Sequence, residues 1–146
     1  MRTITFSAHG AYYQCFHVVW IPKYRRKILV GKLKEFLNQK LPEIQEYYPD
    51  VHIDRFNIQK DHVHLIIHIP PKHSTSKIVG TIKQNTSRHI RDKFPEEVKK
   101  HYWRNEFWSP GFFSSTVGLN EDQIRKYVEF QEKHDKGEVQ LTMFNL

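Results

Sequence analysis

The sequence predicts one α+β domain over residues 1–146, a ferredoxin-like (RRM-like) antiparallel sheet backed by two helices, with a further C-terminal helix. Three observations support this prediction. Strand-like and helix-like stretches follow one another in the order β-α-β-β-α-β-α, whose first six elements are the ferredoxin-like arrangement. The 146-residue length is that of one domain, and no repeat or Gly/Ser linker divides it. The hydrophobic content of 38% is sufficient for a core without disulfides.

The first half of the chain is predicted to form a strand, a helix and a hairpin. Residues 11–21 are aromatic and β-branched, which favours a strand. Residues 30–48 carry apolar side chains at helical spacing, and Pro42 breaks or kinks this helix because it lacks an N–H donor. The predicted hairpin has its two strands at residues 51–59 and 62–69.

The second half is predicted to add a helix, a strand and a final helix. A Ser- and Thr-containing loop caps a helix over about residues 75–94. The fourth strand is "GFFSSTVG", residues 111–118. Asn120 opens the last helix, because Gln123 follows it in capping-box register, and this helix runs to about Lys136.

Composition indicates a nucleic-acid partner and a cytoplasmic protein. The net charge is +7, from 23 basic and 16 acidic residues, which favours a polyanion such as DNA or RNA. Aromatic residues make up 14% of the chain and can stack on unpaired bases. No run approaches the length of a membrane span, no secretory signal is visible, and the single Cys15 cannot form an internal disulfide.

Two histidines occupy alternate positions in the strand-like segment "DHVHLIIHIP". Side chains of a strand alternate between faces, so His62 and His64 share one face and the aliphatic residues that alternate with them share the other. Two imidazoles at this spacing can converge on a divalent cation. A bare pair of this kind more often consists of ordinary polar residues on the solvated face of a sheet, and two ligands are too few for a tight structural site. A third ligand must come from another part of the chain.

The last helix offers such a ligand. Tyr127 and Gln131 are four residues apart and lie on one helical face. Ile124 and Val128 lie close to the same stripe, so Tyr127 also fits the pattern of a core tyrosine. A tyrosine phenol can attack a phosphodiester, although its pKa of about 10 makes it weakly nucleophilic without help. A divalent ion held by two histidines and the amide oxygen of Gln131 would supply that help.

These motifs resemble those of a known family. His62-Val63-His64 is similar to the His-hydrophobic-His motif of the HUH single-strand endonucleases. Tyr127 with Gln131 resembles the Tyr-x-x-x-Gln pattern of their single-tyrosine transposases, the insertion sequence 200/605 type often called TnpA. The segments "FHVVWIPKYRRKIL", "DHVHLIIHIPPKHSTSKIVGTIK" and "FWSPGFFSSTVG" also resemble family segments in the same order.

The resemblance implies a reaction, a cofactor and partners. Tyr127 would be the nucleophile that forms a 5′-phosphotyrosine bond with single-stranded DNA. His62, His64 and Gln131 would hold Mg²⁺ or Mn²⁺, and no nucleotide cofactor is needed because the covalent bond conserves the energy of the phosphodiester. The substrate would be single-stranded DNA with hairpin ends. The protein would be a bacterial or archaeal homodimer in which the tyrosine helix of one subunit can complete the other's active site.

Candidate DNA contacts come from a basic loop and from the second long helix. The loop suits phosphates and one base, although a solvated loop is an equal interpretation; it comprises Lys23, Tyr24, Arg25, Arg26 and Lys27. The helix is predicted to expose three cations that could line a hairpin groove, namely Lys83, Arg88 and Arg91. Three aromatic residues could stack on bases or pack in a core or dimer, namely Trp103, Phe107 and Trp108.

Other functions remain open on the sequence. A ferredoxin-like sheet can bind single-stranded nucleic acid by stacking, without catalysis. Such a module would have no use for Gln131 one turn after Tyr127. A relaxase or replication initiator with the same motif is a third class, and a domesticated relative that processes palindromes is a fourth. The small size and the single Tyr-x-x-x-Gln helix favour the transposase.

Overall fold

The computed structural model describes residues 5–7, 10–12 and 14–138, with side chains described from residue 14 onwards. The strands are β1 (Thr5–Ser7), β2 (Gly10–Tyr12), β3 (Cys15–Trp20), β4 (His52–Gln59), β5 (His62–His68) and β6 (Phe113–Ser115). The helices are α1 (Gly31–Lys40), α2 (Ile44–Tyr47), α3 (Thr75–Lys93), α4 (Pro95–His101) and α5 (Glu121–Asp135). Single 3-10 turns lie at Lys23–Arg25 and Leu41–Glu43.

Four strands form the main sheet in the order β4-β5-β3-β6, and every neighbouring pair is antiparallel. Together with α1 and α3 this order is the ferredoxin-like topology, so the predicted fold class is confirmed. The central position of β5 places the histidine motif in the middle of the sheet.

The structure differs from the sequence prediction in three elements. Residues 11–21 do not form one strand, because β2 pairs with β1 in a separate two-stranded sheet and only β3 enters the main sheet. β6 has three residues instead of eight, and it pairs at the sheet edge with His17–Val19. Helix α4 was not predicted: Pro95 begins it at a position where a helix needs no N–H donor.

The hydrophobic core lies between one face of the sheet and the helices. β3 contributes Val18 and Trp20, and β5 contributes Val63, Leu65 and Ile67, all fully buried. Each such side chain stabilises the fold by about 1.5–3 kcal/mol through burial. The predicted break at Pro42 is confirmed, since α1 gives way to a 3-10 turn that contains this proline.

Helix α5 packs on the opposite face of the sheet. Val128 of α5 meets Val19 and Ile21 in a second, small cluster, with Ile124 and Tyr127 packed against it. The predicted capping box is confirmed: Asn120 accepts from the Gln123 N–H, and the Gln123 side chain accepts from the Asn120 N–H. None of the described helices combines the length and apolar character needed to cross a bilayer.

Candidate functional site

The histidine pair lies on the face of the sheet opposite the main core, as the alternation predicted, and α5 packs on part of this face. Val63 and Leu65 point into the core. His62 and His64, which alternate with them along β5, are half-buried on the other face. The β3–β5 register brings a third imidazole beside them, because His17 Nδ1 is 3.3 Å from His64 Nε2. Burial, followed by the neighbouring His17 and His62, lowers the pKa of His64. His64 is therefore a neutral imidazole at pH 7, which is the form that binds metal ions.

A carboxylate orients His62. Asp61, in the β4–β5 turn, is 7% exposed, and its Oδ1 lies 2.9 Å from His62 Nδ1. Arg25 Nε donates to the other oxygen, Oδ2, at 2.9 Å. The pKa of Asp61 falls to about 2, mainly through the hydrogen bond with His62 and then, against the effect of burial, through Arg25. An ionised carboxylate only accepts, so His62 Nδ1 carries a proton, and Nε2 is the ring nitrogen left to face a ligand.

A cleft of about 460 Å³ opens beside the histidine pair. The sheet side is polar, with Asn57 and Gln59 of β4 beside His62 and His64. The other wall is α5, which presents apolar and charged side chains to the cleft, namely Glu121, Ile124, Arg125 and Val128. The helix that carries the predicted nucleophile therefore lies next to the histidines, but its tyrosine is not part of this wall.

Tyr127 packs toward the sheet edge. Its ring stacks on Phe113 of β6, with centroids 5.7 Å apart and planes at 26°. The ring is half-buried, whereas its hydroxyl is buried and has no hydrogen-bond partner among the described residues. Burial, and secondarily the charge of Asp135, raises the pKa of Tyr127. In this arrangement the phenol is a poor nucleophile.

Gln131 lies in a buried polar network, at 3% exposure. Its Nε2 donates to Ser109 Oγ at 2.8 Å, to the Pro110 carbonyl at 3.2 Å and to Asp135 Oδ1 at 3.3 Å. Asp135 also accepts from Ser109 Oγ and from the backbone N–H of Tyr24. This network attaches the C-terminal half of α5 to the body of the domain.

The single chain thus assembles half of the predicted site. His62 and His64 offer two nitrogen donors to one cleft, and this donor set suits a divalent ion. Tyr127 and Gln131 do not line that cleft. Within residues 14–138 no cluster of three or more His, Cys, Asp or Glu side chains could hold a metal ion.

The predicted DNA contacts fall into two groups. In the basic loop, Lys23 pairs with Glu106 and Arg25 with Asp61 and Glu132, whereas Arg26 is exposed beside the Tyr24 ring. These contacts leave Arg26 better placed than Lys23 or Arg25 to meet a phosphate.

On the second long helix, α3, the exposed placement was right for Arg88 and wrong for Lys83 and Arg91, which are half-buried. Lys83 Nζ donates to the carbonyls of Ser109 and Gly111 at 2.7 and 2.6 Å, because the chain returning toward β6 crosses the helix there. Arg91 is half-buried and donates to the Ser87 and Asn105 carbonyls.

The three aromatic residues before β6 differ in burial. Phe107 and Trp108 are buried, which confirms core packing for these two. Trp103 is fully exposed and is not part of the core.

Sequence reasoning missed His17 and the part played by Asp61 and Arg25. Alternation along β3 places His17 on the face opposite Val18, so a polar residue on the open face was visible. The pairing of β3 with β5, which puts His17 beside His64, has no local signal. The same holds for Arg25, which reaches Asp61 across 36 residues of sequence.

Comparison with known proteins gives a consistent result. The family model described as "Transposase IS200 like" matches residues 11–131. The chain is 32% identical over 136 residues to a Salmonella typhimurium protein named as the transposase for insertion sequence element IS200, covering 93% of this chain and 88% of that protein. It is 31% identical over 132 residues to the ISDra2 transposase TnpA of Deinococcus radiodurans, covering 89% and 91%.

Solved structures share the fold. A crystal structure assigned as a transposase from Deinococcus radiodurans superposes with a TM-score of 0.77 at 26% identity, over 87% of this chain and 98% of that one. A REP-associated tyrosine transposase bound to a REP hairpin gives a TM-score of 0.54 at 17% identity, over 92% and 76%. The second likeness bears on the fold alone.

Proposed function

Because the chain belongs to the IS200-like transposase family, we propose that it cleaves and rejoins single-stranded DNA at hairpin-marked ends through a 5′-phosphotyrosine bond, with a divalent metal. The observation that carries the proposal is the histidine pair on β5, His62 and His64. His62 and His64 face one cleft, and one wall of that cleft is the helix that bears Tyr127. The hairpin in the proposed substrate is that of a protein of similar fold, the REP-associated tyrosine transposase bound to a REP hairpin.

The proposed reaction exchanges one phosphate ester for another. The Tyr127 oxygen attacks the scissile phosphorus, the Oη–P bond forms, and the P–O3′ bond breaks. The phenol proton leaves to solvent, and the departing 3′ oxygen takes up a proton to become a 3′-hydroxyl. A 3′-hydroxyl that attacks the phosphotyrosine reverses these steps and rejoins DNA without a nucleotide cofactor. Mg²⁺ or Mn²⁺, held by His62, His64 and the Gln131 amide oxygen, would stabilise negative charge on the phosphate.

The reaction requires α5 to occupy another position. In the part of the chain that the structure describes, the buried Tyr127 hydroxyl has no hydrogen-bond partner, and such a hydroxyl costs about 1–3 kcal/mol. Release of the Gln131 network would free both Tyr127 and Gln131 to approach a histidine pair. In the proposed homodimer this pair can belong to the second subunit. Arg26 and Lys27, exposed in the basic loop, and Arg88 on α3 are the proposed phosphate contacts.

The test is the formation of a covalent adduct between protein and DNA. Tyr127→Phe is expected to abolish the adduct between the protein and single-stranded DNA on a denaturing gel, while DNA binding in a mobility shift persists. Tyr47→Phe is the matched control, because Tyr47 is an exposed tyrosine of α2, and it should retain the adduct. Chelation with EDTA should stop cleavage, and added Mn²⁺ or Mg²⁺ should restore it.

The same assay separates the alternatives. An adduct that still forms in Tyr127→Phe would show that Tyr127 is not the nucleophile. Cleavage in excess EDTA would contradict the proposed requirement for a metal ion. The buried Tyr127 hydroxyl gives some weight to a module that binds single-stranded nucleic acid without cutting it. DNA binding by the wild-type protein with no adduct under any metal condition would favour that function.

A further inference from the structure

Asp61 contacts both His62 of β5 and Arg25 of the first 3-10 turn. Its Oδ1 accepts from His62 Nδ1 at 2.9 Å, and its Oδ2 accepts from Arg25 Nε at 2.9 Å. The carboxylate is almost completely buried, so water does not compete strongly for either oxygen. A histidine whose Nδ1–H is held by a carboxylate has its ring direction and its tautomer set, with Nε2 presented to a ligand.

Arg25 continues the chain of contacts to the tyrosine helix. While Nε donates to Asp61, Nη1 of the same guanidinium donates to Glu132 of α5 at 3.1 Å. Glu132 follows Gln131 directly and lies 107 residues from Arg25 in sequence. One cation therefore connects the β4–β5 turn to the helix that carries Tyr127, and its charge is divided between two carboxylates.

The backbone at Arg25 is strained to hold this position. Tyr24 and Arg25 have φ values of 60° and 55°, in the left-handed region that residues other than glycine rarely occupy. Such residues cost about 1–3 kcal/mol each and persist only where surrounding contacts enforce them. Here the enforcing contacts include Tyr24 N–H to Asp135 and Arg25 to Asp61 and Glu132, so α5 supplies part of the support.

We propose that Asp61 is the positioning residue for His62 and that Arg25 makes this positioning depend on the docking of α5 through Glu132. The inference rests on the metal role proposed for His62. When Glu132 is lost, the guanidinium turns wholly to Asp61 and competes with His62 for its oxygens. Because coupling between two sites is reciprocal, metal binding by His62 and His64 alone and docking of Glu132 then favour each other, before release of α5 brings Gln131 to the metal.

The first test measures Mn²⁺ affinity in the absence of DNA, by electron paramagnetic resonance. Asp61→Asn should weaken Mn²⁺ binding by about 10- to 100-fold, the usual effect of removing a carboxylate behind a metal-binding histidine. Asp50→Asn is the matched control, because Asp50 also bridges a histidine and a lysine, His73 and Lys72, at a distant surface. It should leave Mn²⁺ affinity unchanged, and Asp61→Glu should restore part of the loss.

The second test measures the tautomer of His62 in the metal-free wild-type protein, by long-range proton–nitrogen NMR. The expected state has the proton on Nδ1, and a proton on Nε2 instead would overturn the proposal without any variant. Mn²⁺ binding by wild type that Asp61→Asn changes less than twofold would overturn this inference alone. No Mn²⁺ binding by wild type would overturn the proposed metal role and the inference with it.

The third test addresses the link to α5. Glu132→Gln should weaken Mn²⁺ binding by about threefold, in the range of coupling free energies carried by single side chains. Glu129→Gln, an exposed position one turn earlier on the same helix, should have no effect. Equal Mn²⁺ affinity in the Glu132 and Glu129 variants would overturn the role given to Arg25.

Discussion

The histidine face of the sheet and the docked face of α5 carry the two halves of one proposed site, and they are built differently. His62 and His64 are half-buried beside an open cleft, and Asp61 holds His62 with one nitrogen directed outward. The Tyr127 hydroxyl is buried and has no hydrogen-bond partner within residues 14–138, and the Gln131 amide donates to Ser109 and Pro110. The histidine pair is already arranged for a ligand, whereas Tyr127 and Gln131 are arranged for packing.

The difference follows from how each half is supported. The histidines stand on the central strand of a four-stranded sheet, where register on both sides determines where they point. Tyr127 and Gln131 stand on a helix that meets the sheet through one small apolar cluster and several polar contacts. Such a helix can leave its place at lower cost than a central strand can.

The largest effect should come from removing one histidine of the pair on β5. We expect His64→Ala to lower the rate of DNA cleavage by about 10³-fold or more, since a catalytic metal contributes several kcal/mol to the transition state. The assay is single-turnover cleavage of single-stranded DNA. His68→Ala is the control, because His68 lies on the same face of β5 outside the cleft lining, and it should cleave at nearly the normal rate. Equal losses in the two variants would contradict the assignment.

Removing Gln131 should test whether its hydrogen bonds stabilise the docked position of α5. Gln131→Ala is expected to lower the free energy of unfolding by about 1–3 kcal/mol, because it leaves buried Ser109 and the Pro110 carbonyl short of a donor. Urea denaturation measures the change, with exposed Gln84→Ala on α3 as the control. A loss below about 0.5 kcal/mol would mean that this network does not hold α5 in place.

The start of α5 should matter less. Asn120→Ala removes the capping box, and we expect a loss of about 1 kcal/mol in the free energy of unfolding. Hydrogen exchange of the first turn of α5 should become faster, whereas Glu129→Ala in the exposed middle of the helix should leave it unchanged. Unaltered exchange in the Asn120 variant would show that docking, and not the cap, determines where this helix begins.

The smallest effect concerns pH. Burial, opposed by the charge of Asp135, lowers the pKa of Lys83 to about 8, below its ordinary value of 10.5. Between these two values the unfolded chain holds more protons than the folded one, so stability rises with pH across that window. From pH 7 to 8, where titration has only begun, the gain over Lys83→Met should stay below about 1 kcal/mol. Urea denaturation at several pH values measures it, and a wild-type free energy of unfolding that falls with pH relative to that of Lys83→Met would contradict the shift.

Local patterns were sufficient for several parts of the fold. Alternation along β5 predicted which face carries His62 and His64, and the spacing of Asn120 and Gln123 predicted the start of α5. These succeeded because each depends on residues a few positions apart. The prediction of a single strand over residues 11–21 failed, since composition does not mark where the chain passes from one sheet to another.

The amino-acid sequence by itself determined the order of the ferredoxin-like elements and of the last helix, the two faces of the central strand and the family motifs. Only the tertiary structure decided that His17 meets His64, that Arg25 joins Asp61 to Glu132, and that the Tyr127 hydroxyl is buried. The physical reason is distance along the chain. Strand faces and helix caps depend on neighbouring residues, whereas these contacts join residues 36 to 107 positions apart and form only once the sheet and α5 have packed.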